Sequence, residues 1–173
     1  MTKATATIAS VSGGDIESVQ ALLAAAVAEW RATGSKVVGV IAEPHGLPDR
    51  SCGAGVLRDI ASGKAYSMFR DAVPSPDSCH LDAAGAADAC AAVVDQIASS
   101  DLVVLSKFGM LEARRRGLAP AFAAAIAAGK PVLTTVSHKQ REAWRTLAPD
   151  AVVLPADKAA LQDWWRAVGH IHA

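Results

Sequence analysis

Cysteines are few, and there is no surplus of charge of either sign; each shortage closes off a class of function. The three cysteines, Cys52, Cys79 and Cys90, are odd in number, widely spaced and form no CxxC pair. That pattern argues against a disulfide framework or a structural zinc site and suits a reducing compartment. Seventeen basic residues balance seventeen acidic ones. No general field therefore draws nucleic acid or an anionic membrane, and any anion site must be local. No stretch approaches the length of a charge-free membrane span. Met1-Thr2-Lys3-Ala4-Thr5 lacks the apolar core of a signal peptide, and the run from Ala21 to Ala28 comes too late and reads as helix. A cytoplasmic protein with neither nucleic acid nor membrane as partner is expected.

What the sequence does contain is apolar residues, 51% of 173 and many of them alanine. That is enough for one domain, spanning 1–173, with a substantial core and closely packed helices. Ala4 to Val11 is β-compatible and runs into Ser12-Gly13-Gly14-Asp15. Ile16, Val19, Leu23, Val27 and Trp30 then recur at helical spacing, with Gly34 placed to end the helix. Lys36 to Ala42 is a continuous apolar strand, as expected for one covered on both faces. Residues 56–60 and 64–69 flank Ala61-Ser62-Gly63 and predict a β-hairpin. The segments 43–55 and 71–79 are proline- and glycine-containing loops.

Asp82 is a plausible N-cap for a helix to about Ser99, with Val93, Val94 and Ile97 facing the core. Asp101 to Leu105 is another buried strand, leading into Ser106-Lys107-Phe108-Gly109. A helix over 117–128 and a strand over 131–136 follow. Ser137 and Gln140 have capping-box spacing ahead of a helix with Trp144 and Leu147. A short strand at 151–154 precedes a last helix capped by Asp157, in which Trp164 and Trp165 are expected to cover the sheet edge or to form a homodimer contact.

Strands alternating with helices predict an α/β fold, a mostly parallel three-layer sheet with helices on both faces and an inserted hairpin. Ligands of such sheets sit outside the carboxyl ends of the strands. That rule selects the loops Ser12–Asp15, Ser106–Glu112 and Ser137–Lys139. In the first, Gly13 and Gly14 let backbone N–H groups approach an anion at a helix start. A standard nucleotide loop, GxxxxGK[ST], would add a lysine, which is missing here. Asp15 and Glu17 would repel a triphosphate without magnesium. The plainer reading is a strand-to-helix turn with Ser12 or Asp15 as N-cap.

In the second loop, Ser106 or Lys107 stands where many nucleotide hydrolases place a magnesium-binding aspartate. Lys107 offers positive charge to an anion. Glu112 is the candidate catalytic base, or a partner for Lys107 or an arginine. Arg114, Arg115 and Arg116 lie on the same rim; Arg116 is the one taken as a ligand contact, the remainder a solvated face. Gly109 and His138 complete the candidate ligand set.

At these residues the chain resembles an uncharacterised bacterial family of domains similar to the small P-loop nucleoside-triphosphatases, often encoded beside molybdate-transport or nitrogenase genes. The resemblance covers nearly the whole chain. It is most specific at Lys107-Phe108-Gly109, Leu111-Glu112 and Arg116-Gly117-Leu118, with a second match at Cys79-His80-Leu81-Asp82. Met110 stands where the family tends to have another lysine, and His80 where it has arginine. The related hydrolases have Asp-Glu at Ser106-Lys107 and a later glutamate matching Glu112.

The resemblance implies a P-loop-like fold and a nucleotide or phosphate-like anion as ligand, with hydrolysis weak or absent. Magnesium would accompany a nucleotide only if Asp15, Glu17 or Glu112 supplied oxygen ligands. If the chain is an enzyme, it is a nucleoside-triphosphate hydrolase. The alternatives are a molybdate- or tungstate-binding accessory protein and a non-catalytic interaction or regulatory domain. Cys52, Cys79, His45, His80 and His138 match no standard metal-ligand spacing, and a loop packing role is favoured for Cys79.

Overall fold

The computed structural model describes residues 6–43, 55–67 and 83–171. The chain runs β1 (Ile8–Ser12), α1 (Ile16–Ala32), β2 (Val37–Glu43), β3 (Val56–Asp59), β4 (Ala65–Ser67), α2 (Ala83–Gln96) and β5 (Leu102–Phe108). It continues through α3 (Met110–Ala113), α4 (Ala119–Ala127), β6 (Val132–Val136), α5 (Arg141–Leu147), β7 (Val152–Pro155) and α6 (Lys158–Ile171). Two 3-10 turns lie at Ile97–Ser99 and His138–Gln140.

The seven strands form one sheet in the order β4-β3-β2-β5-β6-β1-β7. β2, β5, β6, β1 and β7 pair in parallel, and the β3–β4 hairpin adds antiparallel to β2. This is the expected α/β architecture. β2 from Val37 to Ala42 and β5 from Leu102 to Leu105 are unbroken apolar runs because helices cover both of their faces. On one face, residues of α2, α4 and α5 enclose Val103, Leu105 and Val132. On the other, α1 and α6 bring Leu23, Trp30, Leu161 and Trp164 onto Ala9, Val104 and Leu133. No helix among the described residues is long and apolar enough to cross a membrane.

Local chemistry explains the joints. Gly34 ends α1 with two backbone bonds, Ser35 N–H to Trp30 O (3.0 Å) and Gly34 N–H to Arg31 O (3.1 Å), which satisfy carbonyls the helix leaves open. The hairpin is fastened to α2 through Asp59, which is fully buried. Its carboxylate accepts from Ser62 N–H (2.9 Å) and Gln96 Nε2 (3.2 Å), so a group too polar to bury alone becomes a clamp. Phe108, the last residue of β5, packs against Phe122 and Trp144 at centroid distances of 5.5 and 5.3 Å. With Phe108 and Phe122 buried, each contributing about 1.5–3 kcal/mol, the segment after β5 starts from a fixed point.

Several expectations need adjustment. β1 begins at Ile8, and the expected start at Ala4 lies outside the described residues. Ile16 is 70% exposed because it opens α1 beyond the sheet rim, and Val94, 38% exposed, turns away from the core that Val93 and Ile97 enter. Trp164 is buried and donates to Ala6 O (3.0 Å), while Trp165 lies against Trp30; both belong to the α1–α6 layer and not to a cap on the sheet edge. Ser137 makes no side-chain cap bond, since a 3-10 turn intervenes before α5. Leu147 is 37% exposed. Asp157 does cap α6, accepting from Ala159 N–H (3.0 Å). Asp82, the 71–79 loop and the Cys79–Asp82 match lie outside the described residues.

Candidate functional site at the carboxyl end of the sheet

β1 and β6 are neighbours in the sheet, yet their continuations part. β1 leads into α1 on one face, and β6 leads to α5 on the other. Divergence of adjacent connections opens a crevice above the strand ends, the topological switch point where doubly covered sheets hold ligands. Its two walls are the turn Ser12–Asp15 and the segment around Ser137. Sequence reasoning chose these loops, and the topology brings them side by side.

The β1 wall is an exposed turn with Gly13 at φ +104° and Gly14 at φ +73°. Space above Gly13 is open: an added Cβ would meet nothing within 4 Å. Asp15 is the N-cap of α1. Its carboxylate accepts from the Ser18 N–H (2.8 Å) and hydroxyl (2.7 Å), and these bonds hold it below the usual carboxylate range.

Beside the Ser137 segment, the turn that follows β5 is built around Glu112. Leu111, Glu112 and the flanking residues form α3, a single turn not foreseen from the sequence. Glu112 is 9% exposed and spends both oxygens on main-chain donors, Gly109 N–H on Oε2 (3.0 Å) and Leu118 N–H on Oε1 (3.1 Å). Burial pushes its carboxyl up, against these bonds and the nearby Lys107 charge, which pull it down. Gly117, at φ +60°, is required beside it, because a Cβ there would sit 2.6 Å from Glu112 Oε1. Around Gly109 the pieces meet: a Cβ at that position would lie 3.5 Å from Lys107 Cε and 3.6 Å from both Glu112 Oε2 and Ser137 Oγ.

Lys107 itself is exposed. Water solvates its ammonium, which leaves it open to an anion. Ser106, by contrast, is fully buried; its hydroxyl donates to Gln20 Oε1 and accepts from Ala42 N–H (3.4 Å). Gln20 was missed in the sequence, where nothing distinguishes it from other polar helix residues. His138 is exposed on the 3-10 turn after β6. Among the described residues no three His, Cys, Asp or Glu side chains group to hold a metal. Cys52, Cys79, His45 and His80 lie outside the described residues, and Cys90 is a buried free thiol pushed up by that burial.

Arg114, Arg115 and Arg116 are all exposed on the turn that closes α3. Arg115 N–H bonds to Glu112 O (3.0 Å) and Arg116 N–H to Leu111 O (2.7 Å), the bond pair that elsewhere in this chain ends α1 at a glycine. Arg115 fills that glycine-favouring place at φ 62°. Arg115→Gly is accordingly expected to stabilise the fold by about 0.5–1 kcal/mol, read as a rightward shift of the urea midpoint. At the opposite, amino end of the strands, a pocket of about 320 Å³ is lined by Asp101, Lys130 and Trp165 among others. Its Lys130 ammonium is already bonded to Ser100 O (2.8 Å).

Fold and topology together define a doubly covered, mostly parallel α/β protein with its topological switch point between β1 and β6. Within that class, the chain belongs to the family described as a protein of unknown function (DUF2478), which matches residues 8–164. It is also similar to the "Molybdenum import ATP-binding protein ModC 2" of Bradyrhizobium diazoefficiens, 35% identical over 154 residues. The match takes in 87% of this chain but spans only 17% of that relative's length. No solved structure matches the chain.

Proposed function

We propose that this chain is a single P-loop-like α/β unit that binds a nucleotide or another phosphate-like anion at the carboxyl end of its sheet, with little or no hydrolysis. One observation carries this reading. At the switch point, Gly13 and Gly14 are exposed at positive φ, and their N–H groups have no protein acceptor among the described residues. Backbone donors aligned at a helix start are the general means of cradling an anion. The Ser12 hydroxyl joins them, and Lys107 and Arg116 supply charge from the facing wall. Gly109 keeps that wall thin, and His138 stands at its far side. Asp15 serves as helix cap. With its oxygens engaged, Glu112 shapes the loop, which is why turnover is expected to be weak. The similarity to an ATP-binding protein supports a nucleotide-type ligand.

A thermal-shift titration with ATP, GTP, ADP, phosphate, sulfate, molybdate and tungstate tests this. A ligand that binds only the folded state raises the melting temperature, by about 5–10 °C at a hundred times its Kd for a chain of this size. A shift with nucleotide supports the first reading. No shift with any of these anions would remove it and favour a protein-interaction role. A second reading, an accessory that binds molybdate or tungstate, is favoured by the molybdenum import named for the relative. A shift with those two oxyanions and not with sulfate would select it.

A further inference from the structure

We infer that the hollow at the amino end of the sheet binds a small zwitterion, an α-amino acid with an apolar side chain, held between Asp101 and Lys130. Its volume is about 320 Å³, at the small end of the roughly 300–1,000 Å³ typical of ligand sites. One side is made where three neighbouring strands begin: Ser35 precedes β2, Ser100 and Asp101 precede β5, and Lys130 and Pro131 precede β6. Trp165, Val168 and Gly169 of α6 form the other. The strand entries are cross-braced. Asp101 N–H donates to Lys36 O (2.8 Å) and Lys36 N–H to Asp101 Oδ2 (2.7 Å). Lys130 Nζ donates to Ser100 O (2.8 Å) and so ties the entry of β6 to that of β5. Both charged groups are thus set in place before any ligand arrives, which lowers the cost of binding.

The charges mark the ligand. Asp101 and Lys130 line one hollow with opposite sign, yet no ion pair joins them. Asp101 Oδ1 has no partner among the described residues, and Lys130 keeps two ammonium hydrogens after its bond to Ser100. A purely anionic ligand would be repelled by Asp101, and a purely cationic one by Lys130. A molecule that carries both an ammonium and a carboxylate satisfies the two together. Helix ends favour the ammonium further: α1 stops at Ala32 and Gly169 lies in the last turn of α6, and helix C-termini carry partial negative charge. Trp165, half-buried, is held by ring contacts with Trp30 (5.6 Å) and Trp164 (6.2 Å). With Val168 and Pro131 it offers apolar surface beside the charges, suited to an aliphatic or aromatic side chain. Gly169 leaves room for it, since a Cβ there would meet nothing within 4 Å.

Leucine, valine, methionine, phenylalanine and tryptophan are the probes, each titrated calorimetrically into the full chain. At least one is expected to bind saturably. Its N-acetyl derivative lacks the ammonium and its amide lacks the carboxylate, and each is expected to bind about tenfold or more weakly. Asp101→Asn keeps an acceptor for the Lys36 N–H while removing the charge. It should weaken the amino acid about tenfold and cost the N-acetyl derivative little further. Gly169→Phe places a ring in the open hollow and should abolish binding while leaving the far-UV circular dichroism of the parent; it serves if Asp101→Asn does not fold. No binding by any of the five below about 10 mM, equal affinity for the derivatives that lack one charge, or binding unchanged in both variants would overturn the inference. The anion reading, at the other end of the strands, stands or falls separately.

Discussion

Gly39→Ala is expected to yield no stable folded protein. Gly39 lies in the middle of β2, paired with Val104 of β5, at φ +124°. A Cβ there would sit 1.8 Å from the Val104 carbonyl oxygen. Relief would require β2 and β5 to separate, yet each is held on its other side, β2 by β3 and β5 by β6. No side chain can give way, because the obstructing atoms are backbone. The cost should exceed about 4–5 kcal/mol, much of the roughly 5–15 kcal/mol that holds a domain folded. Expression followed by circular dichroism and urea melting checks this. A soluble variant with a midpoint near that of the parent would show that the strands separate more easily than the sheet order implies.

The second large effect concerns Glu112. Glu112→Ala strands the Gly109 and Leu118 N–H groups in a buried loop, each at about 1–3 kcal/mol, partly offset because a carboxylate no longer has to be buried. A net loss of about 2–4 kcal/mol and a fall in Tm of about 6–12 °C are expected. Glu112→Gln should lose less, as it keeps the volume and one acceptor. The pH dependence separates them further. Burial raises the native value of Glu112 above its unfolded one, near 4.5. The native state therefore holds this proton more tightly than the unfolded chain. That contribution is complete below about pH 4.5 and is lost as pH rises through the raised native value. The advantage of the parent over Glu112→Gln should be greatest in acid and shrink toward neutrality; a constant or growing gap would contradict it. Magnesium-dependent phosphate release, if present in the parent and lost in Glu112→Gln without loss of fold, would make Glu112 a catalytic base instead.

Much of the scaffold could be read from residue patterns because its causes are local. The unbroken apolar runs of β2 and β5 announce strands covered on both faces, and Ser62-Gly63 marks a hairpin turn. Gly34 and Gly129 end α1 and α4 where their spacing from the last apolar residues says they should. The candidate loops followed from one rule about strand ends and needed no motif. What escaped was set by contacts between distant parts of the chain. The α3 turn exists because Glu112 finds two backbone donors, one of them six residues on, and no periodicity reports that. The Ser106–Gln20 bond joins residues 86 positions apart, so Gln20 had no visible reason to be singled out. Lys107 follows a buried run, yet within β5 it is exposed between the buried Ser106 and Phe108, which no periodicity reports.

The place of β1 in the sheet also bears on how the protein is made. β1 is made before every other strand of this sheet, yet its two neighbours, β6 and β7, are the last two strands to follow. Until Val132 to Thr135 and Val152 to Pro155 emerge, the apolar run around Ile8 to Val11 has no partner on either edge. α1 can form early, but the sheet it covers cannot close. Contacts of such long sequence separation are slow to form and leave strand edges open to other chains. Nascent chains stalled before β6 should therefore be the most dependent on chaperones, and release from that dependence should coincide with the arrival of β6 and β7.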